Sequence, residues 1–139
     1  MISKDSIKKV LIESLAVSRE KYQREYVTYH VKTFYFFCER LAQHPAGVVL
    51  SSADLRKYIH AQLREHKILV GPKFNPEGFF GKAWTEWKDS SKNQTNFKNE
   101  YYEVLNQIGS EPYSYQIKPE CWESVVEIFA EFRSSKGGN

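Results

Sequence analysis

Residues 50–88 read LSSADLRKYIHAQLREHKILVGPKFNPEGFFGKAWTEWK and contain two helix-start signals on either side of a turn. Ser51-Ser52-Ala53-Asp54 is a capping box, which predicts a helix that ends near His66. Gly71-Pro72 predicts a turn, and Asn75-Pro76 predicts a second helix that ends near Lys88. We therefore expect two capped helices joined by a short connection.

The first of these two helices has distinct apolar and polar faces at helical spacing. Its predicted core face comprises Leu55, Tyr58, Ile59 and Leu63. Its predicted outward face comprises Lys57, His60 and Arg64. The spacing thus predicts a helix that packs on one side and carries basic groups on the other.

Strand signals lie on both sides of the helix pair. The apolar run Val48-Val49-Leu50 predicts a short strand before it. After it, Tyr101–Leu105 and Tyr113–Ile117 are rich in residues that favour strands and flank a segment with Gly109 and Pro112, which predicts a hairpin. Pro119 then predicts the start of a last helix.

The N-terminal part of the chain is predicted to be helical. One helix starts at Ser3 or Asp5, and a second runs from after Ser18 to about Gln43. The apolar arc of the second helix is wider than half its circumference, so this helix is either central in the domain or faces a second subunit. The stripe assigned to a dimer interface comprises Val27, Val31, Phe34, Cys38 and Leu41. The aromatic residues over Tyr22–Phe37 recur at helical spacing, which favours core packing over a base-stacking platform.

The order of elements from Leu50 to Ile117 resembles the winged-helix superfamily. The run Ile68–Trp84 looks like small winged-helix proteins of phages and other mobile elements. The resemblance implies duplex DNA binding without catalysis, commonly as a dimer, with the helix at Asn75–Lys88 in the major groove. It implies a regulator of transcription or an accessory factor of phage, mobile-element or defence type.

Composition and charge fit this interpretation without requiring it. The chain has 139 residues, of which 41% are hydrophobic and 27% charged, as in ordinary globular domains. Its formal net charge of +3 is too small to indicate nucleic acid by itself. Residues 1–50 and 51–100 each carry +3, whereas residues 101–139 carry −3, so the basic part includes the predicted helix pair.

The predicted contacts with nucleic acid lie on the helix pair and the polar loop that follows it. Lysines and one arginine would bind phosphates, and Thr85 and Asn93 would lie near bases. The full predicted set comprises Lys57, Arg64, Lys73, Asn75, Lys82, Thr85, Lys88, Lys92, Asn93 and Lys98.

Two other functions stay open from the residues alone. The same fold could serve as a protein–protein adaptor that docks a partner on the surplus apolar arc and the acidic last helix. A degenerate Mg²⁺-dependent nuclease would use Glu103, Gln116 and Lys118, although glutamine replaces a carboxylate there. We expect no catalytic residue, metal or cofactor, because no nucleophile elbow, phosphate loop or zinc motif is present.

We expect a mainly α protein with a small β-hairpin, a winged helix-turn-helix core flanked by a long N-terminal helix and a C-terminal helix. A single domain would cover residues 1–133, with a dimerisation arm at 1–47, the winged-helix core at 48–118 and the last helix at 119–133. Residues 134–139 would form a disordered tail. No apolar segment is long enough to span a membrane and no secretory leader is visible, so we expect a cytoplasmic protein.

Overall fold

A computed structural model describes residues 2–16, 25–67, 103–109 and 113–137, with side chains at 2–15, 32–67, 103–109 and 113–134. The helices are α1 (Lys4–Ala16), α2 (Glu25–Ala42), α3 (Ser52–Glu65) and α4 (Pro119–Gly137). The strands are β1 (Leu50–Ser51), β2 (Leu105–Ile108) and β3 (Ser114–Ile117). The predicted mainly helical α+β class is confirmed.

Helix α2 is the central element of the described structure. It packs against α1, α3, α4 and β3. Five consecutive residues, Phe34 to Cys38, are buried, so this stretch is covered around its whole circumference. A helical stretch that is apolar on all sides lies inside a core, because at the surface one of its apolar faces would be exposed to water.

The burial of α2 corrects the predicted dimer interface. Phe34, Cys38 and Leu41 are each 0% exposed within one chain. They therefore pack the core of a single copy and offer no surface to a second one. The side chains of Val27 and Val31, the other two predicted interface residues, lie outside the described ones.

Helix α3 begins where the capping signal predicted. Ser51 is extended, with φ −72° and ψ 157°, and its Oγ accepts a hydrogen bond from the backbone N–H of Asp54 at 3.3 Å. This bond satisfies one of the amide groups that the first turn leaves without a partner. The helix ends at Glu65, and Lys67 follows with φ 60°, a left-handed conformation that is common just after the end of a helix.

The three strands form an antiparallel sheet in the order β1-β3-β2. Leu50 pairs with Tyr115, which in turn pairs with Gln107, and Leu105 pairs with Ile117. Tyr115 and Ile117 are buried against the helices, so the sheet covers one end of the core. The predicted second strand of the hairpin is confirmed to within one residue.

The first strand of the hairpin was predicted in the wrong place. Residues 103–104 are helical, and the strand begins at Leu105 rather than ending there. It runs through Asn106, although asparagine is depleted in strands, because β2 pairs with β3 from Leu105 opposite Ile117 to Ile108 opposite Ser114. Gly109, with a left-handed φ of 85°, directly follows the end of β2.

Helix α4 starts at Pro119 as predicted but continues to Gly137. Residues 134–137 of the predicted disordered tail are therefore helical, since nothing in Ser134, Ser135 or Lys136 breaks a helix. The predicted helix at Asn75–Lys88 lies outside the described residues.

Candidate nucleic-acid interface

Helix α3 presents one apolar and one basic face, as its spacing predicted. Leu55, Ile59 and Leu63 are fully buried against the core, and Tyr58 is half-buried at its edge. The face opposite these side chains points away from α2.

Four basic residues on the outer side of α3 form one continuous stripe, which we call the α3 basic stripe: Arg56, Lys57, His60 and Arg64. At about 100° per residue, these positions fall within an arc of about 100°. Asp54 and Glu65 lie outside that arc. The helix therefore offers a surface of a single sign.

Both predicted contact residues of the stripe are accessible. Lys57 and Arg64 are exposed, and within the described ranges neither side chain makes an ion pair. Arg56, which the sequence prediction left out, is also exposed. The same helical spacing that selected Lys57 and Arg64 could have found it.

A polar network holds α3 against α2 behind this stripe. The Tyr58 hydroxyl donates a hydrogen bond to Glu39 Oε1 and accepts one from Gln43 Nε2 at 3.1 Å. The Arg40 guanidinium lies 5.1 Å from the centroid of the Tyr58 ring. Burial, followed by the Glu39 carboxylate, raises the pKa of Tyr58, so its hydroxyl stays neutral and keeps donating at physiological pH.

The hairpin lies beside the start of α3. β1 ends at Ser51, the N-cap of α3, and pairs with β3, while Ser52 N–H donates to the carbonyl of Tyr113 at 3.0 Å. These bonds fix the loop end of the hairpin next to the first turn of α3. The described hairpin and the α3 basic stripe are therefore held in one rigid arrangement.

The two hairpin strands are uncharged. Their outer face carries Asn106 and Gln116, joined by a hydrogen bond of 3.2 Å, with the partly exposed Ile108 at the loop end. Neither strand has a lysine or arginine. Phosphate contacts from this region would therefore have to come from its loop or from its neighbours.

Most of the predicted contact residues lie outside the described ones: Lys73, Asn75, Lys82, Thr85, Lys88, Lys92, Asn93 and Lys98. Of the predicted set, the structure places Lys57 and Arg64, and it brings them together on one helix. The described part of the predicted nucleic-acid surface therefore lies on α3.

A second stripe, of opposite sign, lies on α4, and we call it the α4 acidic stripe: Glu120, Glu123, Glu127 and Glu131. It spans an arc of about 80° at helical spacing. Lys4 lies 3.1 Å from Glu127 and 3.0 Å from Glu131, and Lys8 lies 3.0 Å from Glu131. Two of its four carboxylates are thus paired with α1.

The residues of the nuclease alternative do not form an acidic centre. Glu103 precedes β2 rather than lying on it, and the Gln116 amide is bonded to Asn106 and to the Gly47 carbonyl. Within the described ranges, no group of three or more His, Cys, Asp or Glu side chains could hold a metal ion.

The two cysteines of the chain, Cys38 and Cys121, are both free and buried. Cys38 is fully buried, and burial raises the pKa of its thiol well above the usual value. The Cys121 thiol donates to the Glu103 carbonyl at 3.4 Å. Neither fits a reactive thiolate, which needs an exposed, electropositive setting.

Comparison of the chain with protein families, with curated proteins and with solved structures finds no match. Among the helices of the described ranges, none is long and apolar enough to cross a membrane.

Proposed function

We propose that this protein is a non-catalytic DNA-binding protein that engages duplex DNA through a winged helix-turn-helix. The observation that carries the proposal is the α3 basic stripe. Exposed lysine and arginine side chains on one helix face can bind phosphates, which supply a large share of the affinity in such complexes.

The order and pairing of the described elements support the same proposal. Strand β1 leads into α3, the hairpin follows later in the chain, and β1 joins that hairpin as its third strand. This arrangement holds the hairpin, which is the proposed wing, next to α3, which is the first helix of the proposed helix pair. In a helix-turn-helix, that first helix crosses the DNA backbone while the second enters the major groove.

In this geometry, different elements would make different contacts with the DNA. Lys57 and Arg64, with Arg56 beside them, would bind phosphates and set the register of the protein on the duplex. The helix proposed at Asn75–Lys88 would supply base contacts through the major groove. The uncharged hairpin strands would position the module rather than bind phosphates.

The proposed role is that of a cytoplasmic regulator or accessory factor of phage, mobile-element or defence type. The adaptor alternative loses part of its basis, because the described portion of the surplus apolar arc on α2 is covered within one chain. A homodimer, if it forms, would use surfaces other than Phe34, Cys38 and Leu41.

A salt series on the full chain tests the proposal. The logarithm of the affinity for a duplex should fall linearly with the logarithm of salt concentration. The double variant Lys57→Gln/Arg64→Gln should reduce that slope by about 2, because each lost phosphate contact removes about one released counterion.

The matched control is Lys9→Gln, the same substitution at an exposed lysine of α1. It should leave the slope almost unchanged. Absence of duplex binding at low salt, or equal slopes for the double variant and the control, would show that the α3 basic stripe does not bind DNA.

A further inference from the structure

A small cavity lies between α2 and α4, away from the α3 basic stripe. Its volume is about 130 Å³. The side chains that define its chemistry are Tyr35 and Glu39 from α2, and Val126, Phe129, Phe132 and Arg133 from α4. A closed apolar cavity of about 150 Å³ holds a benzene molecule. This one is slightly smaller, opens to solvent and has a mixed polar and apolar lining, so it accepts a small apolar group whose polar end lies at the opening.

The floor of the cavity is aromatic. The Tyr35 and Phe129 rings meet edge to face with centroids 5.2 Å apart, and Phe129 and Phe132 do the same at 5.6 Å. These contacts lock the rings in place, since aromatic pairs favour this geometry. The cavity therefore has a rigid wall suited to an aliphatic or aromatic group.

Two opposite charges line the same cavity without pairing. Glu39 is partly exposed, and one of its oxygens accepts the Tyr58 hydrogen bond. Arg133 is exposed, and within the described part of the chain it forms no ion pair with Glu39 or with any other carboxylate. One carboxylate oxygen and a guanidinium remain available for a ligand that carries both signs.

A tyrosine hydroxyl adds a third polar group. Tyr35 is 6% exposed, and its side chain lines the cavity. Burial, helped by the nearby Glu39 carboxylate, raises the pKa of Tyr35 to about 12. The hydroxyl is therefore a neutral donor at physiological pH, able to donate to an anionic group.

From this combination we infer that the cavity between α2 and α4 binds a small zwitterion, a free α-amino acid with an apolar side chain. The ammonium group binds Glu39, and the carboxylate binds Arg133 and the Tyr35 hydroxyl. The side chain packs against Phe129, Phe132 and Val126. A purely cationic or purely anionic ligand would leave one of the two charges unmatched.

The inference does not rest on DNA binding, because the cavity and the α3 basic stripe share no residue. Isothermal titration of the full chain with L-leucine tests it, alongside leucinamide, which lacks the carboxylate, and N-acetyl-L-leucine, which lacks the ammonium group. L-Leucine should bind saturably at one site, and each analogue should bind at least about tenfold more weakly.

Two variants test which charged group of the ligand each residue binds. Glu39→Gln should weaken L-leucine binding about tenfold and remove the discrimination against N-acetyl-L-leucine. Arg133→Gln, at an exposed position where folding is not at risk, should weaken it similarly and remove the discrimination against leucinamide. The matched controls Glu123→Gln and Lys9→Gln, which lie outside the cavity, should bind L-leucine as the parent does.

Two results would overturn the inference. One is no saturable binding of L-leucine, L-valine or L-phenylalanine at concentrations up to about 10 mM. The other is binding that neither Glu39→Gln nor Arg133→Gln changes, which would place the ligand elsewhere on the protein.

Discussion

Helices α3 and α4 each carry a stripe of one sign, but the fold uses the two stripes differently. On the α4 acidic stripe, Glu127 and Glu131 form ion pairs with Lys4 and Lys8 of α1. On the α3 basic stripe, Lys57 and Arg64 have no ion-pair partner within the described ranges. One stripe thus contributes to the packing of α4 on α1, whereas Lys57 and Arg64 of the other form no ion pair within the described ranges.

The two helices that carry the stripes, α3 and α4, both pack against α2. Substitution of a buried residue of α2 should therefore have the largest effect on the stability of the protein. Phe34→Ala should lower the free energy of unfolding by about 3–5 kcal/mol, because it removes a fully buried ring and leaves a cavity. Urea denaturation at two protein concentrations measures this. The midpoint should not depend on concentration if Phe34 packs within one chain.

The control for this variant is Ile12→Ala, at an apolar position that is 48% exposed. It should cost far less stability. A midpoint for the parent protein that rises with concentration would mean that association between copies contributes to the stability of this core.

A smaller effect on stability is expected from substitution in the α4 acidic stripe. Hydrogen bonds from Lys4 and then Lys8 lower the pKa of the Glu131 carboxyl. A carboxyl whose pKa is lowered in the folded state stabilises it above the ordinary glutamate pKa, and this contribution is lost as the pH falls through the lowered value. Glu131→Gln should therefore reduce the urea midpoint at pH 7 and leave it unchanged at about pH 2.

Glu123→Gln is the matched control, since Glu123 belongs to the same stripe and has no ion pair within the described ranges. It should not change the midpoint at either pH. An equal loss for both variants at pH 7 would show that general charge, rather than the α1 pairing, sets the stability of α4.

The smallest effect on stability should come from the α3 basic stripe. Because no ion pair of the described residues is lost, Lys57→Gln/Arg64→Gln should leave the urea midpoint at pH 7 unchanged, whereas we expect it to weaken the proposed DNA binding. A destabilised double variant would mean that the two side chains support the fold, and the contrast between the stripes would then fail.

The sequence predicts those parts of the fold that depend on local chemistry. The Ser51 cap, the buried face of α3 and the start of α4 at Pro119 all follow from short-range signals, and the structure has each of them. Residues that are close in the chain determine these features, so periodicity and capping suffice.

The errors arose where distant residues decide the outcome. Periodicity shows which side of α2 is apolar, but not whether the same chain or a second copy covers it, and Phe34 and Cys38 are covered by the same chain. Pairing with β3 moved the first hairpin strand onto Asn106 and Gln107, although asparagine is depleted in strands. The cavity between Glu39 and Arg133 could not be predicted, because it exists only where α2 and α4 meet.

The contact between α1 and α4 also has a consequence for the order of folding. The bond from Lys4 to Glu131 joins residues separated by 127 positions, and β1 pairs with β3 across about 65 residues. Such contacts form late in folding, because the chain loses entropy on closing a long loop before the contact can stabilise it. During synthesis, α1 and β1 must therefore wait for the hairpin and α4 to emerge, so the core closes only after α4 has been made.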